Sequence, residues 1–129
     1  MNFGSYAILQ SVEHRLEKEP DWFWKIKPVT TKEELALAQF LSTERMLLLS
    51  DGTRIGRRVT NIETAIREIA LTFGGTNIVD GDGKLILEAN ATVEQIEKVL
   101  LDMPNELTNE LWIAVGSAIP TWGPVQTKN

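Results

Sequence analysis

Apolar residues recur at helical spacing most clearly between positions 60 and 73. Ile62, Ala65, Ile66, Ile69, Ala70 and Phe73 fall at i, i+3, i+4, i+7, i+8 and i+11, a full stripe of an amphipathic helix. Thr60-Asn61-Ile62-Glu63 ahead of it fits a capping box, in which hydroxyl and carboxylate satisfy free amides of the first turn. Gly74-Gly75 behind it reads as a stop, because glycine accepts the left-handed conformation that ends many helices. Three further helices follow from the same logic. One runs from about 31 to 48, started by Thr30-x-x-Glu33 or Thr31-x-x-Glu34, with Leu37, Phe40, Leu41 and Leu48 on its stripe. The next starts at Thr92-x-x-Gln95, carries Val93, Ile96, Leu100 and Met103, and closes at Pro104. The last spans about Asn105 to Ala118, with Leu107, Leu111, Ala114, Val115 and Ala118 on one face, and ends before Pro120.

Other segments follow a different period. Trp22, Trp24 and Ile26 alternate with Phe23, Lys25 and Lys27, and Pro28 disfavours helix at Lys27, so Trp22 to Val29 reads as extended. Ser50-Asp51-Gly52 is a turn signal, and Thr53 to Val59 reads as a loop or a short strand pairing back on Met46–Leu49. Ile78-Val79 and Leu85-Ile86-Leu87 flank Asp80–Lys84 as a small hairpin or a looped connection. Ser11 to Glu19 offers only Val12 and Leu16, a thin i,i+4 stripe, so it reads as a mobile arm or a short polar helix. The expected fold is mainly α: a single-domain bundle of about four helices with an extended aromatic N-terminal segment and room for one short β-hairpin. Residues 1–20 are expected to be an arm or short helix, 21–120 one globular domain, and 121–129 an extended tail.

Composition narrows the function classes. The chain has 129 residues, 43% of them hydrophobic, enough for one core. A net charge of −5 disfavours nucleic acid and anionic membrane surfaces, since phosphate binding needs clustered Lys and Arg. The absence of cysteine removes disulfides and thiolate chemistry. Met1 to Tyr6 has no basic region followed by a long apolar run, and the longest apolar stretch, Met46–Leu49, is far below a membrane span; a soluble intracellular protein is the expectation.

Candidate chemistry is sparse. Asp80-Gly81-Asp82-Gly83 invites a calcium reading, but the sixth position from Asp80 is Leu85 where an EF-hand needs glycine, so an acidic turn is expected. His14, the single histidine, sits among Glu and Lys and reads as a solvated surface residue. No catalytic residue, metal site or cofactor is expected. The residues expected to contact a partner are Trp22, Trp24 and Trp122, with Arg54, Arg57 and Arg58. For Trp22 and Trp24 core packing is the favoured reading over partner contact, because aromatic rings dominate burial, and for the three arginines a solvated loop is favoured.

Four stretches carry a family resemblance: Pro28 to Glu34, which reads P-[VL]-[TS]-x-x-E-E; Thr60 to Ile78; Met103 to Trp112; and Pro120-Thr121-Trp122-Gly123-Pro124. Together, across about residues 20–124, they resemble the tail assembly chaperones of tailed bacteriophages, encoded beside the tape measure protein. The resemblance implies a mostly helical protein without catalytic activity, working in the host cytoplasm. It would bind the long, apolar, helical tape measure protein, or other tail proteins, and keep it soluble until tail-tube subunits polymerise. Family members can form homo-oligomers, and some carry a frameshifted extension. A small structural virion component, such as a head–tail connector or tail-completion protein, is the alternative.

Overall fold

The computed structural model of the chain describes residues 10–42, 45–48, 54–57 and 60–124, with backbone alone for 45–48 and 54–57. The elements run β1 (Val12–Arg15), β2 (Phe23–Ile26), α1 (Thr31–Ser42), β3 (Arg45–Leu48), β4 (Arg54–Arg57), α2 (Asn61–Leu71), β5 (Phe73–Thr76), α3 (Val93–Asp102) and α4 (Asn105–Ala118). This overturns the expected mainly α bundle: four helices pack with a three-stranded antiparallel sheet of order β1-β2-β5, and β3-β4 form a separate hairpin.

The sheet arises where local pattern is weakest. Val12 lies opposite Ile26, Glu13 opposite Lys25, His14 opposite Trp24 and Arg15 opposite Phe23. Side chains alternate across a strand, so Val12 and His14 share the inner face with Trp24 and Ile26. Trp24 and Ile26 are fully buried there. On the outer face, the Phe23 ring is flanked by the cations of Arg15 and Lys25, at 5.6 and 5.4 Å from its centroid. The segment expected as an arm or polar helix is therefore an edge strand followed by a turn, with Leu16 buried.

β5 is the second departure. Gly74-Gly75 do not stop α2; Thr72 does, its hydroxyl and its amide both donating to the Glu68 carbonyl at 2.8 and 3.2 Å. The glycines continue into a strand against β2. Phe73 then meets Trp24 edge-on with centroids 4.9 Å apart. Thr76 Oγ1 donates to the Phe23 carbonyl, and Asn77 Oδ1 accepts the Phe23 amide at 2.8 Å, fixing the register.

α2 is the central helix, packing on α1, α3 and α4, while α4 also crosses β2. Ile69, Leu100, Leu111 and Val115 meet in the dry centre with Trp24 and Ile26. The Thr60–Glu63 and Thr92–Gln95 capping boxes both form in full. At α1, Glu33 accepts from the Thr30 amide at 3.0 Å and from the Thr30 hydroxyl, whereas Glu34 turns elsewhere. α1 stops at Ser42, short of the expected 48, and Met46 to Leu48 pair with β4 instead. Asp80–Lys84 is a loop carrying a single Val79–Leu85 bridge, its turn held by Asp80 Oδ1 accepting the amides of Asp82 and Lys84.

Candidate functional site

α4 has two working faces. Leu111 and Val115 point to α2 and are fully buried. One step round the helix, Glu106, Glu110, Ala114, Ser117 and Ala118 face β1. The upper part of this second face carries small side chains, so helix and strand do not close on each other. The gap is a cavity of about 460 Å³ with Val12, Ile26 and Ile113 among its walls. It continues past Val12, Ile26 and Ala118 into a second cavity of about 340 Å³ bordered by Pro28, Val29, Ile119 and Pro120. The result is one groove with an apolar floor. Val12 and Ile113 are among the exposed large hydrophobics beside it.

The groove has a clasp and an acidic rim. His14 Nε2 reaches across from β1 to Glu110 Oε2 at 2.6 Å, and the Glu17 amide donates to the same oxygen at 3.2 Å. Beyond the clasp, Leu16, Trp22, Pro104 and Leu107 line a further cavity of about 260 Å³ that shares Glu106 and Glu110 with the groove. Lys18 Nζ lies 2.9 Å from Glu106 Oε1, and that hydrogen bond, with the Glu106 charge, holds the lysine above its ordinary pKa. Glu13 pairs with Arg15 at 2.8 Å.

Beyond the second cavity, which Glu34 and Thr121 also line, the chain is latched. Pro120 to Pro124 fold back so that Trp122 is buried and its Nε1 donates to Glu34 Oε1 at 2.9 Å. Glu68, buried on α2, accepts Trp112 Nε1 and the Gly123 amide on one oxygen, both at 2.8 Å. Burial pushes the Glu68 carboxyl up and the Glu34 charge adds to this; the two donors oppose it. The latch is a structural device, since each indole and amide is already consumed.

The residues expected to meet a partner are thereby sorted. Trp24 is core, and Trp122, expected in an extended tail, is locked into the latch. Trp22 is half-buried and borders the cavity beyond the clasp. Arg54 and Arg57 lie on β4 with side chains outside the described residues, and Arg58 lies outside them altogether. His14 is no solvated surface residue but half of the clasp. Glu17, Glu106, Glu110 and Ile113 were missed; the last three recur at helical spacing on α4, a signal obscured by the stronger Leu111–Val115 stripe. Among the described residues no three His, Cys, Asp or Glu side chains come together as a metal set, and no helix is long and apolar enough to cross a membrane. Comparison with family models, with curated proteins and with solved structures finds no match to this chain.

Proposed function

We propose that this chain is a polypeptide-binding protein, a tail assembly chaperone that holds apolar segments of a tape measure protein in the groove between β1 and α4. The observation that carries the binding reading is the groove itself, an apolar floor left open by Ala114, Ser117 and Ala118 and flanked by exposed Val12 and Ile113. Apolar helix faces dock into grooves of this kind, anchored at i, i+3, i+4 and i+7. The choice of partner comes from the sequence resemblance alone. The acidic surface, at net charge −5, favours solubility while such a surface stays open.

The test is co-expression with the long helical product of the neighbouring reading frame. The wild-type chain is expected to bring that product into the soluble fraction. A Ser117→Trp variant, which fills the groove from an exposed position, is expected not to. Unchanged solubility with the wild-type chain overturns the chaperone reading. Recovery of the chain as a ring in purified virions would assign it to virion structure.

A further inference from the structure

The geometry points to a cationic amphipathic helix as the ligand of the β1–α4 groove, with its apolar face on Val12, Ile113 and Ala118 and its Lys or Arg residues on the acidic rim. This deepens the binding reading above and rests on it. The floor is apolar, yet three acidic residues, Glu17, Glu106 and Glu110, border the same opening, while Glu13 turns to the outer face of β1 and pairs with Arg15. The cation already present is a weak competitor. Lys18 holds Glu106 from an exposed position, its side chain 78% accessible. Exposed ion pairs of that kind contribute little to stability, so a ligand ammonium or guanidinium can displace it without cost to the fold. Glu17 has no ion-pair partner among the described residues. Beyond the clasp, half-buried Trp22 borders a cavity that Lys18, Glu106 and Glu110 also line, so a ligand cation that displaces Lys18 there would lie beside an aromatic residue and two carboxylates. Glu106 to Ala118 spans about 18 Å along α4, room for roughly three turns of a docked helix.

The experiment uses the full chain and three synthetic helices of about 14 residues with leucine at i, i+3, i+4 and i+7, the other positions being lysine, glutamine or glutamate. The lysine peptide is expected to bind about tenfold or more tighter than the glutamine peptide and to weaken as salt rises. Glu17→Lys with Glu106→Lys is expected to remove that advantage while leaving the glutamine peptide unaffected and the circular dichroism unchanged, since both positions are exposed. Ser117→Trp is expected to abolish binding of both. Equal affinity for lysine and glutamine peptides overturns the cationic ligand and leaves the groove reading intact. No binding of any peptide overturns both, and binding that survives Ser117→Trp places the ligand elsewhere. Lysine-peptide binding seen only after residues 1–9 are deleted would assign the groove to the chain's own N-terminus, and a dimer that competes with the peptide would assign it to a second copy; each overturns the proposal.

Discussion

Gly123 crosses α4 directly over Gly116: a Cβ on Gly123 would stand 2.4 Å from Gly116 Cα and 2.7 Å from its nitrogen. Gly123 also has φ of +85°, a region that L side chains rarely adopt. Clash and strain act together, and the obstacle is backbone, which cannot swing away. Gly123→Ala is expected to destabilise the fold by about 2–4 kcal/mol, read as a lower urea midpoint. A midpoint within error of wild type would show that the crossing is dispensable.

The pH dependence of stability has one identifiable contributor on α2. The Glu68 carboxyl is raised above its ordinary value of 4.5, chiefly by burial, so the folded state binds that proton more tightly than the unfolded chain. Its stabilising contribution is complete below the ordinary value and is lost as pH rises through the folded one. Glu33, whose carboxyl is lowered by its bonds to Thr30, acts in the opposite direction. Comparing wild type with Glu68→Gln isolates the first effect. The variant is expected to gain relative stability as pH rises from about 4 to 8. A difference that is flat with pH would show that Glu68 titrates normally.

Trp122 and Glu34 are joined by one indole hydrogen bond of 2.9 Å to an otherwise exposed glutamate. In a double-mutant cycle of Trp122→Phe and Glu34→Gln, a coupling of about 1 kcal/mol is expected, below the range for buried charged acceptors because water competes at Glu34. Zero coupling would leave ring packing as the latch's whole contribution.

Trp24 separates shape from hydrogen bonding. It is fully buried against Phe73, and its Nε1 has no acceptor. Trp24→Ala is expected to cost about 3–5 kcal/mol and to collapse helical circular dichroism at modest urea. Trp24→Phe removes the orphaned donor along with part of the ring and is expected to cost much less, about 1–2 kcal/mol. Trp22→Ala is expected to leave the fold intact and to weaken groove ligands. Equal losses for the alanine and phenylalanine variants at 24 would show that the indole nitrogen has a partner.

Helices with local instructions were legible. Thr60–Glu63, Thr92–Gln95 and Pro104 act within one turn of themselves, and α2, α3 and α4 begin where those residues place them. The sheet was not legible, because its pairings are remote. Trp24 meets Thr76, 52 positions further along the chain, and Phe73-Gly74-Gly75-Thr76 has too few side chains to show a period of two. β1 hid because its inner face offers Val12 and His14 to a half-open groove and so lacks an apolar stripe. The clasp joins residues 96 positions apart, a relation no spacing encodes. The Thr31-x-x-Glu34 spacing also fits a capping box, but the Glu34 carboxylate accepts from Trp122 of the folded-back tail instead.

The Glu68 latch also sets a clock on biosynthesis. Its two donors lie 44 and 55 residues further along the chain. At roughly 5–20 residues per second, the ribosome delivers Gly123 about 3–11 seconds after Glu68. Until then the Glu68 carboxyl lacks at least one of its two protein donors, Trp112 arriving first and Gly123 last. The Pro120–Pro124 fold-back is therefore what completes the hydrogen bonding of Glu68, and a pause in translation ahead of it would leave that carboxyl one donor short.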